Sequence, residues 1–333
     1  MPEEIKYLII AALIIIAVLI VLSAIVGLIM RAAFKKRGDG SPAFRYLQAE
    51  DFPLLVADPI QFLSNKKQIL RGYLYHHASF TSFKELIVFC HGIGAGHTMY
   101  TTEINRLAKE GFLVMGFDYT GCALSSGSEM KSLIQAIVDL DFAFRYIDSR
   151  PDLKILKRYV VGHSWGGFVA LSSLLFKKHH VDKVVNISGF ISQPSVIVSN
   201  RRYLCPLYPF FFMYGWWRYG RYATYNSLRA LRKSEVPILS VQGKADRVIK
   251  PIYSNDQYAK IAKRKSNIAI YDVDDKGHLP YLTKRAEEYL LKVNVDKAIA
   301  KRGSPVVQYD IDYKLITEED EVVMKAIVAF LKK

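Results

Sequence analysis

Six short runs of apolar residues, separated by longer stretches of helical pattern, constrain the fold of this chain more than any other feature of its sequence. The runs occupy residues 86–90, 113–117, 159–161, 183–187, 238–242 and 268–273. Continuous apolar runs of this length are typical of strands that are buried on both faces of a parallel sheet. Helical patterns lie between them, most clearly at residues 100–110, 131–148 and 167–177. This alternation predicts an α/β fold, in which a mostly parallel sheet is flanked by helices on both faces.

Two segments ahead of the first run predict an antiparallel pair of strands at the start of the sheet. Residues 60–64 and 68–75 alternate apolar and polar side chains on either side of a short polar turn. Such a pattern is typical of a β-hairpin. Hydrophobic residues make up 51% of the chain and charged residues 23%, which excludes an intrinsically disordered polypeptide. The folded domain is therefore predicted to cover residues 60–333.

The N-terminal segment contains 24 consecutive uncharged residues, from Tyr7 to Met30. As an α-helix it would be about 36 Å long, enough to cross a hydrocarbon core of about 30 Å. A cleaved signal peptide fits less well, because its apolar region is shorter and follows a positive charge. Here the six preceding residues contain two glutamates and one lysine. Residues 1–30 are therefore predicted to be one transmembrane helix that anchors the protein.

A basic cluster follows this helix and indicates on which side of the membrane the body of the protein lies. Arg31, Lys35, Lys36 and Arg37 fall within seven positions, and such residues are retained in the cytoplasm. The sequence thus predicts a single-pass protein of the cell membrane with a cytoplasmic body. The chain has only three cysteines, which agrees with a reducing compartment. Residues 31–59 are predicted to be a basic flank and linker, flexible at residues 38–42.

The charge balance of the chain also indicates a membrane as its partner. Lysine and arginine number 46 against 31 acidic residues, a formal net charge of +15. A surface of this kind suits an anionic membrane or a nucleic acid. Because no helix-turn-helix, zinc-finger or RNA-binding motif accompanies the charge, a membrane is the predicted partner and a nucleic acid is not.

A candidate nucleophile lies between the third apolar run and the helical pattern that follows it. Residues 162–166 read Gly-His-Ser-Trp-Gly, a G-x-S-x-G sequence. Between a strand and a helix, this sequence forms a sharp turn that exposes the serine hydroxyl above the sheet. Its glycines allow the close backbone approach that the turn needs. Ser164 is therefore the predicted nucleophile.

A serine hydroxyl needs a histidine base, and in this kind of sheet the base comes last in the chain. Of the histidines well beyond Ser164, His179 and His180 sit at a polar helix end, where a solvated surface position explains them. His278 instead follows the last predicted strand, at the edge where active sites of open α/β sheets lie. His278 is therefore the predicted general base.

The base in turn needs a carboxylate to orient it. Asp246 follows the preceding predicted strand and lies 32 residues before His278. The competing aspartates belong to the histidine's own strand or turn, from which they would reach its ring poorly: Asp272, Asp274 and Asp275. Asp246 is therefore predicted to complete a catalytic triad.

Acyl transfer also requires backbone donors for the developing oxyanion. One predicted donor is the N–H of Trp165, directly after the nucleophile. The other is the N–H of Ile93, in the glycine-rich loop after the first apolar run, where His91 is expected to brace the loop. The glycines at 92, 94 and 96 do not have the dinucleotide-binding spacing. The sequence contains no phosphate-binding loop or metal-ligand cluster, so neither cofactor nor metal is predicted.

Residues 190–235 are unusually rich in aromatic side chains and are predicted to form a cap that admits apolar acyl chains. Eleven aromatic residues fall between positions 203 and 225, mixed with arginines. Such rings suit a membrane interface or an apolar pocket, although most of them would pack the cap onto the sheet. Trp216 and Trp217 are the predicted substrate-binding residues, as contacts for an apolar acyl chain.

These motifs together resemble the α/β-hydrolases, in particular the serine aminopeptidase and monoglyceride-lipase-like group. The resemblance covers residues 60–331 and also includes Phe117-Asp118-Tyr119 with Gly121, Ser125 and Gly127 downstream. It implies hydrolysis of an ester, thioester or amide without a cofactor. The chain departs from the family pattern in its aromatic segment and in an extra stretch, residues 281–316, after the histidine.

The sequence therefore predicts a membrane-tethered serine hydrolase that cleaves a carboxylic ester, with an apolar acyl group or lipid as substrate, through an acyl-enzyme. Two alternatives remain open at this point. A peptidase or acyl-thioesterase could use the same triad. A non-catalytic, membrane-tethered binding protein could keep the fold, although binding alone would not require a complete triad.

Overall fold

The computed structural model, which describes residues 2–41, 44–300 and 311–333, contains an eight-stranded sheet in the order β1-β2-β4-β3-β5-β6-β7-β8. The strands are β1 (Leu55–Leu63), β2 (Ile69–His77), β3 (Glu85–Cys90), β4 (Leu113–Phe117), β5 (Lys157–His163), β6 (Lys183–Ile187), β7 (Ile238–Gly243) and β8 (Ile268–Val273). Strands β1 and β2 are antiparallel to each other, and β2 is antiparallel to β4. All the other pairs are parallel. The predicted α/β architecture is confirmed.

The central strands are buried because helices cover both faces of the sheet. The helices are α1 (Glu3–Phe34), α2 (Thr101–Lys109), α3 (Gln135–Ser149), α4 (Pro151–Lys154), α5 (Trp165–Ser173), α6 (Gln193–Asn200), α7 (Tyr208–Tyr219), α8 (Ser227–Lys233), α9 (Asn255–Ala262), α10 (Lys284–Ala300), α11 (Tyr313–Ile316) and α12 (Glu321–Lys332). On one face, Ile104 of α2 and Ile327 of α12 share a core with the sheet. On the other face, Phe144 of α3 and Val169 of α5 belong to a larger core. Each central strand thus buries apolar side chains on both sides, as its uninterrupted apolar run predicts.

Helix α1 is longer than the predicted anchor and has two differently placed parts. In the described part of the chain, it is the one helix long and apolar enough to be a candidate membrane span. Its side chains are largely exposed up to Ile25, whereas Val26, Met30 and Phe34 are buried against the domain. The last turns of the helix therefore belong to the domain core.

The segment after α1 is bound to the domain, although its glycines predict a flexible linker. The Gly38 N–H donates to the Gly121 carbonyl at 2.8 Å, and Gly38 forms a bridge with Cys122. The Arg37 guanidinium donates to the Ala123 carbonyl at 2.6 Å and also to the Gly127 carbonyl. These carbonyls accept hydrogen bonds that hold the start of the segment in place. The start of the segment is therefore not a free tether. Pro42, at the end of the predicted flexible stretch, lies outside the described residues.

The aromatic segment forms three helices, α6 to α8, with α7 lying against α1. Phe211 and Gly215 on one side of α7 are buried, and Phe211 joins the same core as Met30. A methyl group placed on Gly27 of α1 would lie 4.0 Å from the ring of Tyr214. The aromatic segment therefore packs between the end of the N-terminal helix and the domain.

Candidate active site

The turn between β5 and α5 holds Ser164 in a backbone conformation that the flanking glycines make possible. Ser164 has φ 57° and ψ −114°, outside the regions that most residues occupy. A methyl group on Gly162 would lie 2.2 Å from the Gly166 carbonyl oxygen, and one on Gly166 would lie 1.8 Å from that of Cys90. Only glycine fits at either position. The local sequence thus determines the strained turn that presents the serine hydroxyl.

The three predicted triad residues lie together at the carboxyl edge of the sheet. Nε2 of His278 lies 2.8 Å from Oγ of Ser164, and Nδ1 of the same ring lies 2.8 Å from Oδ2 of Asp246. Ser164 follows β5, Asp246 follows β7 and His278 follows β8. Residues 114 positions apart in the chain therefore meet because parallel strands end at the same edge.

Asp246 is buried, and its two carboxylate oxygens accept hydrogen bonds from different partners. Oδ1 accepts hydrogen bonds from the N–H groups of Val248 and Ile249 at 2.8 and 2.9 Å. Oδ2 accepts from Nδ1 of His278 and, at 3.3 Å, from the Gln242 amide. Because a carboxylate only accepts, the His278 proton lies on Nδ1 and leaves Nε2 free to accept the serine proton.

A second histidine, His163, joins the three loops that form the site. Its Nε2 lies 2.9 Å from the His278 carbonyl, and its Nδ1 lies 2.9 Å from the Tyr100 hydroxyl. Burial and the nearby His278 ring lower the pKa of His163 well below its ordinary value, so the ring is neutral. Nε2 therefore donates to the carbonyl, and Nδ1 accepts the Tyr100 proton. Tyr100 in turn accepts the Gly92 N–H at 3.1 Å.

The glycine-rich loop after β3 is held at both ends by buried histidines. His91 contacts the Gly92 carbonyl through Nδ1 at 2.7 Å and accepts the Tyr119 N–H at 3.2 Å. At the far end, Nδ1 of His97 lies 2.7 Å from Oδ1 of Asp118. His91 thus braces the loop as the sequence predicts. The His97 contact escaped sequence analysis, although Asp118 belongs to a motif quoted for the family resemblance.

The two predicted oxyanion donors occupy different surroundings. Ile93 lies on the glycine-rich loop and contributes to the wall of the cavity above Ser164. Trp165 is the first residue of α5, where backbone N–H groups have no partner within the helix. Its side chain is buried and its indole N–H donates to the Leu133 carbonyl at 2.8 Å. The indole therefore fixes the start of α5 next to Ser164.

The extra stretch after His278 supplies a carboxylate that holds the histidine loop. Glu287 of α10 is 7% exposed, and its two oxygens accept the N–H groups of Gly277 and Leu279 at 2.8 and 3.1 Å. These are the residues on either side of His278. A methyl group on Gly277 would lie 2.5 Å from a Glu287 oxygen, which explains the glycine. Residues 301–310 of the predicted insertion lie outside the described residues.

Replacing Glu287 by alanine should lower kcat, with a short aryl ester as the test substrate, by about 10- to 100-fold, because a shift of about 1 Å at a reacting group can cost 100-fold. The KM should change little, since Glu287 does not line the cavity. Steady-state kinetics on a short aryl ester would measure both constants. Glu288→Ala is the matched control, because that neighbouring side chain is exposed. A Glu287→Ala variant with normal kcat would show that the Glu287 carboxylate does not position His278.

A cavity of about 490 Å³ opens above Ser164 and His278. Its walls come mainly from three segments: residues 40–41 and 44–47 after α1, the glycine-rich loop with the start of α2, and residues 279–290 and 313–317 after His278. Val248, from the loop after β7, also lines it. The described residues that line the cavity do not include Trp216 or Trp217. Both tryptophans lie on the exposed side of α7 instead. The aromatic segment therefore does not provide the observed walls of this cavity.

The described residues offer acid–base groups at the site and no cluster suited to a metal. No group of three or more histidine, cysteine, aspartate or glutamate side chains in the described ranges is arranged to hold a metal ion. The arrangement of Ser164, His278 and Asp246 suits proton transfer from a hydroxyl through an imidazole.

Comparison with known proteins agrees with the observed topology. The family model of the S33 serine aminopeptidases matches residues 81–212. The abhydrolase domain-containing protein lid-1 of Caenorhabditis elegans is 38% identical over 86 residues, which is 26% of this chain and 23% of that protein. An abhydrolase domain-containing protein of Dictyostelium discoideum is 30% identical over 116 residues, 34% of this chain and 12% of the relative. The chain thus matches less than a quarter of each relative.

Solved structures extend the similarity over most of the chain. An esterase from Pyrococcus furiosus is 18% identical with a TM-score of 0.58, covering 81% of this chain and 99% of that one. A bacterial brefeldin A esterase is 15% identical with a TM-score of 0.55, covering 85% and 84%. The chain therefore has the α/β-hydrolase fold. The resemblance to the α/β-hydrolases that its motifs predict is confirmed.

Proposed function

We propose that this protein is a membrane-tethered serine hydrolase that cleaves a carboxylic ester carrying an apolar acyl group. The observation that carries the proposal is the continuous hydrogen-bonded chain from Ser164 through His278 to Asp246, with both links at 2.8 Å. A structural or binding role would not require a strained serine aligned with an oriented imidazole.

In the proposed reaction, Oγ of Ser164 attacks the ester carbonyl while Nε2 of His278 takes the hydroxyl proton. The imidazolium then gives that proton to the leaving alcohol oxygen as the acyl-enzyme forms. A water molecule attacks the acyl-enzyme by the same sequence, returning the proton to Ser164 and releasing the acid. Asp246 stabilises the imidazolium in both halves, and the N–H groups of Ile93 and Trp165 bind the oxyanion.

The cavity walls favour an apolar acyl group. Ile93, Met99, Val248 and Leu279 line the same cavity as Ser164 and His278. Further apolar residues that line it are Phe44, Leu47, Leu282, Leu290 and Ile316. Transfer of a fatty chain from water into such surroundings contributes about 0.8 kcal/mol per buried methylene group, so chain length should raise affinity.

A serine aminopeptidase activity, suggested by the matched family model, is less well supported by the cavity. An aminopeptidase needs an anionic group to bind the substrate's α-ammonium. Among the described lining residues, the one carboxylic acid is Glu103. Burial and the neighbouring Glu319 raise its pKa well above the ordinary value, which favours the neutral acid. A neutral acid attracts an ammonium group weakly, so an ester is the better substrate.

Measuring hydrolysis of p-nitrophenyl esters of increasing chain length tests the proposed substrate class. In detergent solution, kcat/KM should rise from acetate to medium or long chains. Leu290→Trp should narrow the cavity and reduce activity on long chains more than on acetate. Trp217→Ala is the matched control, because this side chain lies outside the cavity and should leave the profile unchanged. Equal activity on all esters, with faster cleavage of aminoacyl amides, would favour a peptidase.

The membrane tether is part of the same proposal and brings the cavity close to lipid. Gly40, the first residue that lines the cavity, follows the end of α1 by six residues. Six residues span at most about 20 Å. An ester dissolved in the membrane could therefore reach the cavity mouth without crossing bulk water over a long distance.

We infer that the body of the protein faces the cytoplasm, and the basic residues that follow the helix support this orientation. Protease added to intact cells should therefore leave the body uncut, whereas permeabilised cells should lose it. An epitope at the C-terminus, followed by immunoblotting, would report the outcome. Cleavage of the body in intact cells would reverse the proposed orientation.

A further inference from the structure

The free part of α1 has the length of a bilayer core, and the remainder packs on the domain. Its side chains are largely exposed from Glu3 to Ile25, 23 residues that span about 34 Å. The first residue of the helix that is buried against the domain is Val26. With α1 spanning the membrane, the hydrocarbon boundary falls near this residue. Any segment that packs on α1 directly after Val26 must lie at the level of the lipid headgroups.

Helix α7 occupies that position and exposes a row of large apolar side chains. Phe211 and Gly215 face the domain, while the opposite side of α7 is exposed to solvent in the isolated protein. Trp216 is 52% exposed and Trp217 is 77% exposed. The exposed row, together with the preceding turn, consists of Tyr203, Tyr208, Phe212, Met213, Trp216 and Trp217. We call this set the α7 face. Tryptophan and tyrosine are the residues that proteins place at membrane interfaces.

The segment that carries the α7 face has charges of one sign only. From residue 190 to residue 234 the sequence contains seven basic residues and no aspartate or glutamate. Arg201, Arg202 and Arg218, which lie in or beside the face, are exposed. Basic side chains are attracted to an anionic leaflet when they lie near its surface. This combination of exposed aromatic rings and arginines fits the anionic headgroup layer of a bilayer.

We infer that the α7 face inserts into the anionic headgroup layer of the membrane that α1 spans, so that the domain is held at two points in a fixed orientation. The inference rests on the proposed membrane tether and assigns the aromatic segment to lipid contact rather than to acyl binding. Two contacts prevent the domain from rotating about α1, and this keeps the cavity-lining segment after Gly38 close to the bilayer surface.

Tryptophan fluorescence of the full-length protein in vesicles tests the inference. The chain has three tryptophans, and the third, Trp165, is 1% exposed. Vesicles would contain phosphatidylcholine and phosphatidylglycerol, with or without lipids brominated near the headgroup end of the acyl chains. Brominated lipid should quench a large part of the emission. The Trp216→Phe/Trp217→Phe variant should retain only emission from Trp165, which brominated lipid should leave unquenched.

A charge variant separates lipid contact from simple proximity. Replacing Arg201, Arg202 and Arg218 by glutamine should reduce quenching by brominated lipid in vesicles that contain phosphatidylglycerol. Lys260→Gln and Lys263→Gln serve as a control, because these lysines belong to α9 or its end, outside the α7 face. Equal quenching in the arginine and lysine variants would overturn the electrostatic part of the inference.

Alkaline carbonate extraction distinguishes failure of this inference from failure of the tether. If the protein stays in the membrane and Trp216 and Trp217 are quenched by aqueous iodide but not by brominated lipid, the α7 face is not at the headgroups and the inference is wrong. Protection from both quenchers would indicate self-association of the face and would also overturn it. Release of the protein by carbonate would refute the tether and, with it, the inference.

Discussion

Replacing Ser164 by alanine should abolish covalent labelling by an organophosphonate probe and lower kcat for short aryl esters by about 10⁶-fold, the loss seen when a triad serine is removed. The reason is that Nε2 of His278, 2.8 Å from Oγ of Ser164, would have no nucleophile to deprotonate. Gel fluorescence of the probe-treated protein and a spectrophotometric ester assay would measure the two effects.

A matched control for this variant is Ser199→Ala in α6. Oγ of Ser199 donates to the Val196 carbonyl at 3.1 Å and has no contact with the triad in the described structure. It should label and turn over substrate normally. Thermal unfolding of the Ser164→Ala protein should be unchanged or shifted upward, because alanine replaces a polar side chain at a strained turn. Persistent labelling of a folded Ser164→Ala protein would assign the nucleophile elsewhere.

Replacing Asp246 by asparagine should lower kcat by about 10⁴-fold, as in other triads, while leaving the fold intact. The amide oxygen can still accept from Val248 and Ile249, the two N–H groups that Oδ1 binds. The amide nitrogen then faces Nδ1 of His278 and drives the proton to the other ring nitrogen. The imidazole loses its ability to accept the Ser164 proton.

Asp274→Asn is the control for the charge change in this second experiment. Asp274 is exposed and pairs with Lys244 at 2.7 Å, so its substitution should leave the rate near normal. The wild-type ester assay, repeated on both variants at the same pH, gives the comparison. A near-normal rate for Asp246→Asn would move the orienting role to another carboxylate, and the proposed mechanism would then lack its third member.

Two buried side chains, His163 and Glu287, connect the loops that carry Ser164 and His278. His163 connects the serine turn, the glycine-rich loop and the histidine loop through the Tyr100 hydroxyl and the His278 carbonyl. Glu287 holds the histidine loop from α10. Because a buried polar group costs free energy unless it has a partner, these hydrogen bonds couple the stability of the loops that they join. The site therefore forms as a unit.

The sheet and the juxtaposition of Ser164, Asp246 and His278 could be predicted from the sequence because both depend on local patterns. Uninterrupted apolar runs indicate strands that are buried on both faces, and residues that follow such strands meet at one edge. Ser164, Asp246 and His278 each follow a run of this kind, and the structure places them within hydrogen-bonding distance. The glycines beside Ser164 are also local, since they permit a turn of only a few residues.

The walls of the cavity and the position of the aromatic segment were decided by the tertiary structure. Glu287 reaches the histidine loop, and Gly40 reaches the cavity, through contacts between distant segments that leave no periodic signal in the chain. Aromatic rings mixed with arginine suit an acyl pocket and a membrane surface equally well. Only the direction in which α7 buries its side chains separates these roles. Phe211 packs into the core, which leaves Trp216 and Trp217 facing outward.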